Sequence, residues 1–244
     1  MRADLGSWLR LDVDRLLERV DDMAEGFAGG DPYRHLVIDG AFPERWLDAV
    51  VDEFPDPADM PIQRRLSMEV KSANRTWSAL GPATRNLLSE LNAGPFLTLL
   101  EGVTGITGLV PDPHLFGGGQ HQIRPGGKLA IHADFNRHPT LQVDRRLNLL
   151  VYLNRGWLEE WGGCLELWDQ SMSRCVKRIA PVFNRCVLIA TTDTSYHGHP
   201  EPLACPAGVT RKSLALYYYT NGRPPEEVVP EHSTLWQSRP GTDD

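Results

Sequence analysis

Ile131-His132-Ala133-Asp134-Phe135-Asn136 closes one of a run of short β-branched and apolar segments that begins after Gly117-Gly118-Gly119. Segments of strand character fall at residues 120–124, 128–133, 147–153, 164–168, 176–179, 185–190 and 213–219. Turn residues separate them, and no helical period lies between them. That succession predicts a β sandwich or barrel and not alternating strand–helix units.

Upstream the texture is helical. Leu11, Val13, Leu16, Leu17, Val20, Met23, Ala24 and Phe27 fall close to one helical face, predicting one amphipathic helix that Gly29-Gly30-Asp31-Pro32 ends. A short strand is expected at residues 35–39. Pro43 and Pro82 each suit a helix's first turn, with Trp46, Leu47, Val50, Val51 and Phe54 in one buried stripe and Leu87, Leu88 and Leu91 in the other. After Gly94-Pro95 a helical pattern resumes over residues 96–103. Residues 56–80 have no clear period and predict loop with some strand, a long excursion of the kind that often serves function. The expected organisation is one domain over residues 1–244, with a mostly helical support region over 1–110. A β core is expected over 115–220 and a Pro-rich, acidic tail over 221–244, able to wrap the body through Leu235 and Trp236.

Composition excludes several classes. At 244 residues the chain is long enough to bury a sizeable core. A formal net charge of −7 argues against general nucleic-acid binding, which needs a basic face. No run approaches the roughly 20 apolar residues of a membrane helix, and Met1-Arg2-Ala3-Asp4-Leu5-Gly6 lacks the basic-then-apolar pattern of a signal peptide. Cys164, Cys175, Cys186 and Cys205 contain no Cys-x-x-Cys pair and are expected as reduced thiols in a cytoplasmic protein.

His132 and Asp134 stand two apart at a strand end, so both side chains point to one face. Alone, a His-x-Asp pair is commonplace. A second histidine would complete two imidazoles and one carboxylate on one face of an octahedral ion, with open positions opposite, the arrangement of non-heme Fe(II) oxygenases. His197 and His199 compete for that place. His197 is preferred, because Gly198 leaves room near the metal and Pro200 then turns the chain. His199 is then a loop histidine or a neighbour of the site, and His121 and His138 read as ordinary strand or loop residues. Arg211 and Ser213, also two apart, offer a guanidinium fork and a hydroxyl to one spot, a pair suited to a carboxylate. The order His-x-Asp, His, Arg-x-Ser carries the signal that no member carries alone.

The stretch Arg146-Leu147-Asn148-Leu149-Leu150-Val151-Tyr152-Leu153-Asn154, then Trp157, Gly162-Gly163-Cys164-Leu165-Glu166-Leu167-Trp168 and Pro181-Val182-Phe183-Asn184-Arg185-Cys186, resembles the prolyl-hydroxylase branch of the Fe(II)/2-oxoglutarate oxygenases. The similarity spans about residues 35–220. It implies a mainly β fold, a double-stranded β-helix (jelly roll) buttressed by the N-terminal helices. It implies His132, Asp134 and His197 as iron ligands, and Arg211, Ser213 and Tyr152 as the grip on the distal carboxylate of 2-oxoglutarate. Asn148 takes the place of a Thr that lines the pocket. Gln122 stands where a tyrosine often contacts the co-substrate, a departure from the pattern. The implied cofactors are Fe(II), 2-oxoglutarate and O2, and the implied reaction is hydroxylation with release of succinate and CO2. Related halogenases carry Gly or Ala where this chain has Asp134, so hydroxylation is the expected outcome.

The expected substrate is a small molecule, such as an amino acid, a nucleoside or a natural-product intermediate; a protein side chain such as proline is the alternative. Residues 56–80, 136–144 and the tail are where its contacts are expected, with Arg137 and His138 able to meet an anionic group there. A cupin-like protein using His197 and His199 as its metal pair would leave Arg211 and Ser213 without a task.

Overall fold

The structure is a computed structural model in which residues 11–242 are described. The segment Met1–Gly6 read above for targeting lies outside them. Among the described residues no helix is long and apolar enough to cross a membrane.

In chain order the elements are α1 (Val13–Leu17), α2 (Val20–Ala28), β1 (His35–Asp39), α3 (Glu44–Asp52), β2 (Ile62–Arg65), β3 (Val70–Asn74), α4 (Pro82–Leu91) and α5 (Gly94–Thr104). They continue with β4 (Val110–Pro111), β5 (Gly119–Ile123), β6 (Leu129–Ala133), β7 (Asp144–Tyr152), β8 (Leu165–Trp168), β9 (Cys175–Ile179), β10 (Arg185–Ala190), β11 (His197–His199), β12 (Arg211–Thr220) and β13 (Leu235–Trp236). Two antiparallel sheets result. The larger runs β1-β10-β7-β12-β5-β3-β2 with β4 alongside β12, and the smaller runs β13-β6-β11-β8-β9. This is a jelly-roll core, mostly antiparallel, with helices on one side.

Pleat alternation sorts the side chains. On β7, Leu147, Leu149 and Val151 face the helices, and with Leu188 of β10 and Leu214 and Leu216 of β12 they join one core with Trp46, Leu87, Leu88 and Leu91. The opposite faces of the same strands look into the sandwich, where Tyr152, Val187 and Ile189 meet Leu165, Leu167 and Ile179 of the smaller sheet. Trp46 is fully buried and its indole N–H donates to the Ala83 carbonyl at 3.0 Å, tying α3 to the start of α4. Trp46→Ala should therefore cost about 3–5 kcal/mol, seen as a lower denaturant midpoint. A loss below about 1 kcal/mol, the ordinary size for a point change, would show that the helical buttress is dispensable.

The seven strands expected from the β texture are all present, with ends shifted by at most three residues. Three differences have physical causes. The opening helix is two, α1 and α2, because the Arg19 amide closes a tighter turn on the Leu16 carbonyl, three residues back, and ends the regular run. Residues 56–80 contain a hairpin, β2–β3: the exposed, charged β2 has no apolar alternation, and β3 buries the polar Ser72 and Asn74 beside Ala73 in place of an apolar run. The His197 segment, outside the expected strands, is the short strand β11, paired with β6 and β8.

Candidate active site

His132 and His197 face each other across the β6–β11 ladder as direct partners, and their ring centroids are 4.6 Å apart. Asp134 follows at the end of β6. Its Oδ1 lies 3.5 Å from His132 Nε2 and its Oδ2 lies 3.4 Å from His197 Nε2. The three ligand atoms lie within 4.8 Å of one another and all three side chains are buried.

The protonation pattern follows from the partners. His132 Nδ1 is 2.9 Å from the Ala130 carbonyl oxygen, and His197 Nδ1 is 2.9 Å from that of Ser195. A carbonyl can only accept, so each Nδ1 carries the proton and each Nε2 offers a lone pair. Burial pulls the His197 pKa down to about 4, against the opposing pull of Asp134, so the ring is neutral at ordinary pH. Burial alone would raise the Asp134 carboxyl, but the Arg145 guanidinium, His197 and His132 together hold it well below the usual carboxylate range. Two lone pairs and a carboxylate therefore converge, acceptors all, and only a cation between them satisfies the set. The donors present fit Fe(II).

Asp134 is aimed by its neighbours. The Asn148 amide donates to Oδ2 at 2.6 Å, and Arg145 Nη2 lies 3.1 Å from the same oxygen. Asn148, expected as a pocket wall, does line the cavity, but its amide is spent on the carboxylate. Asn148→Ala should weaken iron binding about ten- to a hundredfold, the usual size for losing a partner of a metal ligand. Titration of the protein with Fe(II) in the absence of oxygen measures it, and an unchanged affinity would show that Arg145 alone orients Asp134.

A cavity of about 590 Å³ opens beside the three side chains. Arg211 and Ser213 of β12 and Tyr152 of β7 line it, and Ser213 pairs directly with Tyr152 across the ladder. Arg211 is buried. Its Nε donates to the Gly163 carbonyl at 2.8 Å and its Nη2 to the Tyr152 hydroxyl at 3.2 Å, so the guanidinium is held in place at the cavity. Gly163 has a φ of 72°, and a Cβ there would come within 2.6 Å of Leu203 and 3.1 Å of the Arg211 side chain, so glycine makes the seat. Burial pushes the Tyr152 phenol up, against Arg211, and keeps its proton on.

Gln122 is a correction. Pleat alternation on β5 turns its neighbours His121 and Ile123 to the cavity. Gln122 itself faces outward, where its amide donates to the Pro55 carbonyl at 3.0 Å and accepts from the Thr210 hydroxyl at 2.7 Å. It is therefore not placed to touch a co-substrate.

His199 is neither a ligand here nor a loop residue. It is buried on the cavity wall, and neither ring nitrogen has a hydrogen-bond partner among the described residues. Burial, then Arg211, holds its pKa well below the ordinary histidine value. Gly198 between the two histidines serves the sheet and not the metal, since a Cβ there would meet the Ala130 and Leu129 carbonyl oxygens at 2.7 and 2.8 Å. Of the three segments expected to meet substrate, β2–β3 and the tail contribute Arg64, Lys71, Arg75, Thr234 and Trp236, whereas residues 136–144 do not reach the cavity. His138 is instead buried beside Asp112, 3.5 Å away. Trp236 of β13 packs on the His132 ring at 5.1 Å, so the tail does wrap the body. Arg145 was overlooked altogether, because an arginine inside a strand gives no sign that its head is buried.

Residues 118–219 match the sequence profile of the 2OG-Fe(II) oxygenase superfamily. The search of curated proteins produced no sequence match. A Pseudomonas putida prolyl-4-hydroxylase superposes with a TM-score of 0.56 at 18% identity, over 85% of this chain and 100% of that one. A Trichoplax adhaerens prolyl hydroxylase in complex with a hypoxia inducible factor peptide fragment gives 0.58 at 15% identity, over 88% and 93%. HygX from Streptomyces hygroscopicus, with nickel and 2-oxoglutarate bound, gives 0.52 at 13% identity, over 82% and 92%. The chain thus carries the jelly-roll core of the 2OG-Fe(II) oxygenases and is an oxygenase that uses Fe(II), 2-oxoglutarate and O2.

Proposed function

We propose that the protein hydroxylates an unactivated C–H bond of a small molecule, an amino acid, nucleoside or natural-product intermediate, releasing succinate and CO2. His132, Asp134 and His197 would hold the iron, and Arg211, Ser213 and Tyr152 the distal carboxylate of 2-oxoglutarate. The observation that carries this is the meeting of three acceptors at one point beside a cavity that presents a fixed guanidinium. Iron and co-substrate supply the oxidising power when bound.

The chain's own part is positional. The Ala130 and Ser195 carbonyls fix both imidazoles, and Asn148 and Arg145 fix the carboxylate. The Gly163 carbonyl and the Tyr152 hydroxyl set the plane of the Arg211 fork, so that a carboxylate arriving there meets an already ordered donor. Asp134 occupies the place a halide would need, which favours hydroxylation. A cavity of this size suits a small ligand and is walled on several sides.

The test is substrate-stimulated turnover. With Fe(II), 2-oxoglutarate and O2, one member of a metabolite panel should raise succinate release in step with its own gain of an oxygen atom. Stimulation by proline-containing peptides and by no metabolite would overturn the small-molecule reading in favour of a protein side chain.

A further inference from the structure

We infer that the site selects a substrate carrying an anionic group, carboxylate or phosphate, which it receives between Arg145 and Arg75 along a wall of aromatic rings. This rests on the oxygenase reading above and adds the substrate's charge to it.

Arg145 is the central observation. Its side chain is 1% exposed and lines the cavity. The guanidinium carbon sits 3.5 Å from the centre of the Tyr217 ring and 4.4 Å from that of Phe135, so aromatic rings are stacked against it. Nε donates to Asn148 Oδ1 at 2.8 Å. Nη2 is beside Asp134 but not aligned for a hydrogen bond, and Nη1 has no partner at all among the described residues. A buried guanidinium with open donors is costly unless something accepts from it. Asp134 is not the full answer, because its charge would be shared with the cation that it and the two histidines would hold.

The wall continues outward from there. Phe135 meets Phe116 edge-on at 5.4 Å, and the Arg75 guanidinium lies over Phe116 at 5.2 Å. Tyr217 donates to the Gly117 carbonyl at 3.0 Å and locks the rings in place. Arg145 and Arg75 are thus the inner and outer ends of one ladder of rings, suited to an apolar or planar body with an acid group on it.

The charge balance agrees. The whole chain is at −7, yet the cavity presents Arg64, Lys71, Arg75, Arg145 and Arg211 against Glu69 and Asp134 alone. Lys71 is paired with Glu69 at 2.7 Å, and Arg64 lies 3.9 Å from the same carboxylate. Arg211 is assigned to the co-substrate. A divalent ion and a dicarboxylate entering together cancel each other, so Arg145 and Arg75 remain positive in the loaded site. A concave, low-dielectric wall of one sign draws in a ligand of the other.

The experiment uses the full chain loaded with Fe(II) and 2-oxoglutarate without oxygen, which fills the Arg211 position. Phenylacetate, phenyl phosphate and neutral benzyl alcohol are titrated in, and binding is followed by tryptophan fluorescence, to which Trp236 on the cavity wall contributes. At least one anion should bind about tenfold or more tighter than the alcohol, the scale of one charge-assisted hydrogen bond. That preference should shrink with salt and fall about tenfold in Arg75→Gln, as expected for a half-exposed charge. Which anion binds better separates carboxylate from phosphate. Anions that bind no tighter than the alcohol, or an Arg75→Gln protein with the full preference, would overturn the inference. The charge-transfer band of the loaded protein is the control. Its absence before any probe is added would tell against the oxygenase reading itself.

Discussion

Asp134→Ala and His197→Ala should each abolish the visible charge-transfer band that the protein forms with Fe(II) and 2-oxoglutarate in the absence of oxygen, and turnover with it. Each change removes one of the three proposed ligands. The loss in iron affinity should exceed the ten- to hundredfold that follows from losing a mere supporting partner. Asp134→Ala does more than His197→Ala, because it also strips the only carboxylate from the cluster and strands the Asn148 amide and the Arg145 guanidinium in a buried place. Asp134→Asn separates the two effects, keeping the shape and the polar contact while deleting the charge. The circular dichroism of all three proteins should match that of the unaltered one, since the ligands sit at strand ends and outside the apolar cores. A band of full strength in both alanine variants would sink the ligand assignment.

Arg211→Ala should raise the 2-oxoglutarate concentration needed for half-saturation by about two orders of magnitude, the size expected when a bidentate partner is taken from a buried carboxylate. The guanidinium is preorganised by the Gly163 carbonyl and the Tyr152 hydroxyl, so little ordering cost offsets its grip. Arg211→Lys keeps the charge and loses the fork, and should fall between the two. Tyr152→Phe removes the hydroxyl that steadies Nη2 and should weaken binding less than either. Iron affinity measured without 2-oxoglutarate should stay the same across the series. An Arg211→Ala protein that saturates with 2-oxoglutarate at the same concentration would show that the distal carboxylate is held elsewhere, for instance at His199.

The residues that speak through spacing were legible in the sequence. His132 and Asp134 declare their shared face by standing two apart in a strand, and so do Arg211 and Ser213, because the period of a strand is two. The short β-rich segments between turn residues announced a sandwich or barrel, and the resemblance to the oxygenases implied the jelly roll. What was hidden depended on a third dimension. The hairpin β2–β3 pairs Ile62, Gln63, Arg64 and Arg65 with Ala73, Ser72, Lys71 and Val70, and the exposure of β2 together with the polar residues buried on β3 erases the apolar signal. Gln122 was placed by counting back from His132, and the pleat of β5 puts its neighbours His121 and Ile123 on the cavity face instead. Arg145 and His199 gave no local sign, since burial of a polar side chain is a property of what packs around it.

The hairpin β2–β3 joins the larger sheet only through β3, along three residue pairs with β5. The side chains that would hold iron and 2-oxoglutarate lie on or just after β6, β7, β11 and β12, and of these the hairpin meets only β6, where its turn residues Met68 and Glu69 pair with Ala130 and Leu129. Part of the cavity's positive charge, on Arg64, Lys71 and Arg75, is therefore carried apart from the proposed iron and 2-oxoglutarate residues, whereas Arg145 shares β7 with them. The side chains of residues 62–75 are thus an outer panel of the cavity that a lineage, or an engineer, can rewrite while Arg145 and the residues proposed to hold iron are inherited intact.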